Sequence, residues 1–177
     1  MIFKKVVEKL TENKETIATM ESCTGGGVAN AITNIEGASS VLKFSAVTYS
    51  NEFKIKMGVS SEVIDKYSVY SQETSREMAK NIALFANADY GVGITGKLNR
   101  ADINNNYGQD NIVYITIFDK KNVRFYDKWI VVTDKTREIN KKAVLYTIDE
   151  MLGEILGIKN IKKVVIKWKN ITQKKNS

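Results

Sequence analysis

Apolar residues recur at the spacing of an α-helix in several parts of the chain. This pattern predicts helices over residues 2–13, 28–37, 60–67, 71–87 and 134–157. The third and fourth helices begin with a serine that has a glutamate close behind it, as is typical of capped helix N-termini. The fifth helix is amphipathic, and its predicted buried stripe consists of Ile139, Ala143, Tyr146, Ile148, Met151, Leu152 and Ile155.

Shorter stretches have the composition of β-strands. We predict strands over residues 15–22 and 44–51, the second of which alternates and is rich in β-branched side chains. Residues 88–96 form an apolar run bounded by glycine, which is typical of a strand buried on both faces. Residues 111–132 contain two alternating runs around Asp-Lys-Lys-Asn, which predicts an antiparallel hairpin. Helices that lie between such strands predict an α/β sandwich around a mixed sheet.

The length and composition fit a single domain. With 177 residues, of which 43% are hydrophobic, the chain can bury one core of ordinary size. We assign the domain to residues 1–158 and a basic tail to residues 159–177. The single cysteine, Cys23, excludes an intrachain disulfide and suits a reducing compartment, so we expect a cytoplasmic protein. No window offers about 18 consecutive apolar residues, and we therefore expect no membrane span.

The net charge of +7 comes largely from lysines in Lys-Lys pairs and in the terminal segment. Charge alone is a weak signal, and we interpret it as a solvated basic surface rather than as a nucleic-acid interface. A nucleic-acid-binding accessory protein stays open as an alternative, and its binding would weaken steeply with salt.

The complete absence of histidine limits the possible chemistry. A Ser-His-Asp triad cannot be built, and a zinc site would depend on carboxylates and one thiolate. Any catalysis must therefore use serine, threonine, lysine, tyrosine or carboxylates.

The segment Glu-Ser-Cys-Thr-Gly-Gly-Gly at 21–27 joins a predicted strand to a predicted helix. Glycines let the backbone approach a ligand closely, and unpaired amides at the helix start favour an anion or a developing oxyanion. The hydroxyls of Ser22 and Thr24 would add donors. A tight strand-to-helix connection without a ligand explains the same residues equally well. Cys23 has no histidine to activate it, which favours a small packing residue.

A second candidate comprises Gly-Ala-Ser-Ser at 37–40, Val-Thr-Tyr-Ser-Asn-Glu at 47–52, and Lys54. A serine becomes a nucleophile when a base takes its proton, and a desolvated lysine can do this without imidazole. Tyr49 could relay a proton or orient the lysine, and Asn51 could bind substrate or cap the following helix. Because serine, tyrosine and lysine are abundant in this chain, the residues alone do not distinguish a site from ordinary surface.

Two long runs resemble a known family in order and spacing. ESCTGGGVANAITNIEGASSVLKFSAVTYSNEFKIKMGVS and SQETSREMAKNIALFANADYGVGITG are similar to successive blocks of the CinA C-terminal-domain family, so the match covers about residues 5–96. The resemblance implies a three-layer α/β/α sandwich. It also implies hydrolysis of nicotinamide mononucleotide to nicotinate mononucleotide and ammonia, with no metal and no organic cofactor.

The resemblance implies roles for individual residues. Ser39 would be the nucleophile, with Ser40 kept in view beside it, and Lys54 would be the general base. Tyr49 would support that lysine and the leaving ammonia. The residues expected to bind substrate, stabilise the oxyanion or shape the turn are Ser22, Thr24, Gly25, Gly26, Asn51 and Arg137. Apart from the resemblance, Thr95 and the glycines of residues 91–96 could bind phosphate, although a buried strand that ends in a turn explains them better. Arg137 is the candidate for the substrate's phosphate, although without a gap Asn140 lies closer to the matching position.

The chain departs from the family in residues 97–111. The family continues there with a glycine-proline segment, whereas this chain has an asparagine-rich polar stretch that we predict to be a mobile loop. The change leaves open a second function, a catalytically degenerate module that binds a nucleotide or a protein. We also expect a homo-oligomer, because the predicted hairpin is exposed and the family self-associates.

Overall fold

The computed structural model describes residues 1–103 and 105–159, which form six α-helices and five strands. The predicted basic tail lies outside the described residues, apart from Lys159. In chain order the elements are α1 Lys4–Asn13, β1 Ile17–Glu21, α2 Gly27–Thr33, β2 Leu42–Val47, α3 Asn51–Lys56, α4 Ser61–Tyr67, α5 Gln72–Ala86, β3 Tyr90–Gly96, β4 Ile112–Asp119, β5 Arg124–Val131 and α6 Arg137–Ile155. A 3₁₀ turn, Ala38–Ser40, lies between α2 and β2.

The strands form one mixed sheet in the order β2-β1-β3-β4-β5. β1 runs parallel to both β2 and β3, whereas β4 is antiparallel to β3 and to β5. At the carboxyl end of β1, Glu21 pairs with Val47 of β2 and with Ile94 of β3. The carboxyl ends of the three parallel strands therefore meet at one edge of the sheet, and the segments that follow them are brought together.

Helices cover both faces of the sheet, which confirms the α/β/α sandwich. On one face, α1, α2 and α6 bury a core that includes Ile17, Val92 and Ile115. On the other face, α5 lies so close that a Cβ at Gly91 would be 2.0 Å from Ala79 O, and only glycine fits there. β3 is buried along its whole length, as its unbroken apolar pattern predicts.

Serine caps fix where two helices near the site begin. Ser50 Oγ accepts a hydrogen bond of 3.3 Å from Phe53 N at the start of α3. Ser71 Oγ accepts one of 3.1 Å from Thr74 N at the start of α5, as predicted. Because β2 ends at Val47 and not at residue 51, the chain has room to turn into α3 beside the end of β1.

The last helix, α6, follows its predicted burial only in part. Ile148, Met151 and Leu152 are buried as expected, but Ile139 and Tyr146 are exposed. In the described part of the chain, no helix combines the length and the apolar composition needed to cross a membrane.

Candidate active site

The centre of the site is the pair of Ser22 and Lys54. Ser22 directly follows β1, and Lys54 lies on α3, which follows β2. Because β1 and β2 are parallel neighbours, both residues stand at the same edge of the sheet. Lys54 Nζ lies 3.1 Å from Ser22 Oγ and donates a hydrogen bond of 2.7 Å to the backbone oxygen of Thr48.

Lys54 is almost fully buried, with 1% of its surface exposed. Burial penalises the ammonium form and lowers the pKa of Lys54 from 10.5 to about 8, against the opposing influence of Cys23 and Asp102. Among the described residues, no carboxylate lies within ion-pair distance of Lys54. A large fraction of Lys54 is therefore neutral near pH 8 and able to accept a proton.

A cavity of about 650 Å³ includes Ser22 in its wall. Its other walls come from residues 49–51, from most of residues 96–105, and from single residues of two other segments, Tyr70 and Arg137. The charged residues among those that line it are Lys97, Arg100, Asp102 and Arg137. The size suits a small organic ligand, and the excess of cations favours an anionic one.

The turn after β1 is held by glycines and by a buried carboxylate. Gly25 and Gly26 have φ angles of 62° and 88°, in the left-handed region that other residues avoid. Glu21 is fully buried and accepts hydrogen bonds from Val28 N at 3.1 Å and Ala29 N at 2.9 Å. These two amides at the start of α2 are occupied, so neither is available to an anion.

Thr24 lies inside this turn and not at the cavity surface. Its side chain is buried, and its Oγ1 has no hydrogen-bond partner among the described residues. Thr24, Gly25 and Gly26 do not line the cavity, whereas Ser22 and Cys23 do. The three residues shape the turn that presents Ser22, which is the role expected for Gly25 and Gly26, whereas a contact of any of them with substrate is not supported.

The structure contradicts the predicted pair of Ser39 and Lys54. Ser39 lies in the 3₁₀ turn that precedes β2, and in this region Val41 O accepts a hydrogen bond from Ile17 N at the start of β1. Ser39 therefore stands at the amino end of the parallel strands, whereas Lys54 follows their carboxyl ends. β2 has six residues, so roughly 20 Å of strand separates the two side chains. The same separation removes Ser40 as a partner of Lys54.

Tyr49 and Arg137 both line the cavity, and they contact each other. Arg137 Nη2 donates a hydrogen bond of 3.3 Å to the Tyr49 hydroxyl oxygen. The expected support of Lys54 by Tyr49 is not seen, because the hydrogen bonds of Lys54 go elsewhere. Asn140, the alternative to Arg137, is buried and bonds to backbone atoms, so Arg137 is the residue of α6 that reaches the cavity.

Two further residues that were predicted to contact substrate, Thr95 and Asn51, lie in different surroundings. Thr95 is fully buried, does not line the cavity, and donates its hydroxyl hydrogen to Val69 O at 2.8 Å, so its predicted contact with substrate is wrong. Asn51 lines the cavity, and its Nδ2 donates to Asn105 Oδ1 at 3.1 Å. Asn51 does not cap α3, because Ser50 does.

The loop after β3 forms one wall of the cavity, and its contacts were missed from the sequence. Tyr70 donates its hydroxyl hydrogen to Asp102, which also accepts from Asn105 Nδ2 at 3.0 Å. Lys97 is buried and bonds to Asp110 Oδ1 at 2.9 Å. The position of the loop residues could have indicated these contacts, since the loop follows the carboxyl end of a buried parallel strand.

Cys23 lines the cavity as a neutral thiol. Burial raises its pKa to about 12, although the charges of Arg137 and Lys54 act in the opposite direction. A thiol of this kind is a weak nucleophile and agrees with a packing role. Within residues 1–103 and 105–159, no group of three or more cysteine or acidic side chains could hold a metal ion.

Residues 1–155 match the family model described as the CinA C-terminal domain, and the chain belongs to that family. A relative in Thermoanaerobacter pseudethanolicus that carries the name competence-damage inducible protein is 36% identical over 155 residues. This match covers 87% of the chain but 37% of the relative. The chain thus spans about a third of the length of the curated relatives that it matches.

Solved structures share the fold. The competence/damage inducible protein CihA from Agrobacterium tumefaciens has a TM-score of 0.77 at 27% identity, over 87% of this chain and 92% of that chain. A CinA superfamily protein from Klebsiella pneumoniae has a TM-score of 0.79 at 22% identity, over 86% of this chain and 94% of that chain, and shows the fold alone. The family and the sandwich expected from the sequence are both confirmed.

Proposed function

We propose that this chain is an amidohydrolase that releases ammonia from nicotinamide mononucleotide, with Ser22 as nucleophile and Lys54 as general base. The observation that carries the proposal is the buried Lys54 Nζ at 3.1 Å from Ser22 Oγ. A buried amine with a pKa of about 8 can take a hydroxyl proton without the histidine that the chain lacks. The choice of substrate follows from family membership, and the cation-rich cavity supports a phosphate-bearing amide.

In the first half-reaction, neutral Lys54 accepts the proton of the Ser22 hydroxyl while Ser22 Oγ bonds to the carboxamide carbon. The C–N bond then breaks, and the Lys54 ammonium gives its proton to the departing nitrogen. Ammonia leaves, and an ester joins the nicotinoyl carbon to Ser22. The hydrogen bond from Nζ to Thr48 O keeps the lysine beside the serine.

In the second half-reaction, a water molecule gives a proton to neutral Lys54 and its oxygen bonds to the ester carbon. The bond from that carbon to Ser22 Oγ breaks, and Ser22 recovers a proton from Lys54. Nicotinate mononucleotide is released, and both side chains return to their starting protonation states.

Arg137 and Tyr49 serve binding in this proposal. The guanidinium of Arg137 lines the cavity and its only hydrogen bond to a described residue is to the Tyr49 hydroxyl, so its charge is available to a phosphate. Tyr49 holds the arginine in place. Loss of either side chain should therefore raise KM more than it lowers kcat.

The test is ammonia release from nicotinamide mononucleotide by wild-type protein, Lys54→Met and the matched control Lys56→Met. Lys56 lies on the same helix, but it is exposed and paired with Glu52. We expect Lys54→Met to lower kcat by about 10²–10⁴-fold, and Lys56→Met to keep wild-type activity. Equal activity of the two variants would refute the role of Lys54. A folded wild-type protein that releases no ammonia would favour a nucleotide- or protein-binding module instead.

A further inference from the structure

The loop after β3 contributes two cations to the cavity that the proposed chemistry does not use, Lys97 and Arg100. Lys97 is 4% exposed, and its Nζ lies 2.9 Å from Asp110 Oδ1 and 5.1 Å from the centre of the Tyr70 ring. Asp110 is half exposed and does not line the cavity. An ammonium has three donors, so Lys97 keeps donors beyond this ion pair.

Arg100 has more hydrogen-bond donors available to a ligand than Lys97 has. Its guanidinium makes no hydrogen bond and no ion pair with the residues that the structure describes, although it lines the cavity. Its backbone is fixed, because Arg100 N donates to Asp110 O at 3.1 Å. Two residues further on, the bond between Tyr70 and Asp102 anchors the same loop. Because the backbone of this segment is anchored, ligand binding has to order only the exposed Arg100 side chain.

Cations outnumber carboxylates among the described residues that line the cavity, because Lys97, Arg100 and Arg137 stand against Asp102. Asp102 itself accepts hydrogen bonds from the Tyr70 hydroxyl and from Asn105 Nδ2. The wall therefore carries positive charge that an anion can complement. A phosphate monoester offers three acceptor oxygens and close to two negative charges, so it can accept from both an ammonium and a guanidinium.

We propose that Lys97 and Arg100 form the subsite for the phosphate monoester of the substrate, and that they make this chain select phosphorylated over uncharged amides. The identity of the amide rests on the proposed function, but the subsite itself is defined by the two cations of the loop. Arg137 contacts the phosphate from α6, and Lys97 and Arg100 contact it from the loop after β3. The two cations of the loop take no part in proton transfer.

The first arm of the test is kinetic. The ratio of kcat/KM for nicotinamide mononucleotide to that for nicotinamide riboside is measured in wild type, Arg100→Ala and Arg100→Lys. The control is Arg124→Ala, which removes an exposed arginine of β5 that does not line the cavity. We expect the ratio to fall about tenfold or more in Arg100→Ala, to recover partly in Arg100→Lys, and to stay at the wild-type value in Arg124→Ala.

The second arm needs no turnover. The midpoint of thermal unfolding is followed as inorganic phosphate replaces chloride at constant ionic strength, because a ligand that binds only the native state raises that midpoint. We expect the rise to be large in wild type and Arg124→Ala and small in Arg100→Ala and Lys97→Met. If wild type releases no ammonia but shows this pattern, the subsite stands and the proposed function fails. Equal phosphate responses in all four proteins, or an unchanged kinetic ratio in Arg100→Ala, would overturn the subsite.

Discussion

Two serine-bearing turns flank the first crossover of the sheet, and they differ in what the fold places beside them. Ser22 follows the carboxyl end of β1, is 6% exposed, and lies 3.1 Å from the amine of a buried lysine. Ser39 precedes the amino end of β2 and is exposed. The hydroxyl group is the same in both turns. Its reactivity depends on a neighbouring base, and the parallel pairing of β1 and β2 brings that base to one edge only.

The same comparison shows what a reactive lysine requires. Lys54 is held away from water without a carboxylate partner, so that its amine is partly neutral near pH 8. Burial of this kind costs folding free energy, which is a common feature of active sites. In the other turn both Ser39 and Ser40 are exposed, so no buried polar side chain there costs folding free energy.

The largest expected effect separates the two serines directly. Ser22→Ala removes the proposed nucleophile and should lower kcat for ammonia release by on the order of 10⁴-fold or more. Ser39→Ala removes an exposed hydroxyl and should leave kcat within about twofold of wild type. Steady-state assays on both variants check this, with circular dichroism to confirm folding. Loss of activity in Ser39→Ala alone would reverse the assignment.

The pH dependence of the rate distinguishes a buried from an exposed base. Since neutral Lys54 is the active form, kcat/KM should rise by roughly 50-fold between pH 6 and 8 and level off above the pKa of about 8. An exposed lysine acting on Ser39 would instead give a rate that keeps rising towards a pKa of about 10.4. A profile that is flat from pH 6 to 8 contradicts both.

Much of the fold follows from the sequence, because the periodic apolar pattern is local information. The buried strand before Gly96, the hairpin and the serine cap at Ser71 are all read from neighbouring residues. The choice between Ser22 and Ser39 cannot be made from neighbouring residues in the sequence. It depends on which strand ends lie together, and the parallel register of β1 and β2 joins residues about 25 positions apart.

The cavity wall was harder to predict for a related reason. Lys97 lies in a polar stretch whose composition is typical of an exposed loop, yet its side chain is buried by a long-range contact with Tyr70. Thr95 shows the reverse case, since a hydroxyl beside glycines suggested a ligand contact but bonds to Val69 O. Composition alone does not tell which polar side chains of a loop turn inwards.

Stability should reveal the cost of the buried lysine. In the folded state the pKa of Lys54 is lowered from 10.5 to about 8, so the unfolded chain binds more protons between these two pH values. Below pH 8 the lysine is charged in both states, and its burial destabilises the fold by the full amount. Lys54→Met should therefore be more stable than wild type by roughly 1–3 kcal/mol at pH 7. The gain should shrink as pH rises from 8 to 10.5 and vanish above that range.

The control for this measurement is Lys43→Met, which removes an exposed lysine of β2 close to the turn of Ser39. Its free energy of unfolding, from urea titration, should lie within about 0.5 kcal/mol of wild type at every pH. A gain in Lys54→Met that does not change with pH would show that its cause is packing and not charge.

A more local effect on stability is expected from the glutamate that precedes each turn. Glu21→Gln replaces a carboxylate that accepts two backbone amides of α2 by an amide with one acceptor, so it should lose about 1–3 kcal/mol of stability. Glu36→Gln changes an exposed side chain and should lose less than about 0.5 kcal/mol. Urea unfolding of both proteins checks the difference, and equal losses would remove the special role of the turn after β1.

The most direct measurement locates the acyl group on the chain. Wild-type protein is mixed with nicotinamide mononucleotide, quenched with acid, and cut after glutamate, which places Ser22 in a peptide of residues 22–36 and Ser39 in a peptide of residues 37–52. Mass spectrometry should find the nicotinate mononucleotide ester on peptide 22–36, and Ser22→Ala should abolish it. An ester on peptide 37–52, or one that persists in Ser22→Ala, would contradict the assignment of Ser22 as the nucleophile.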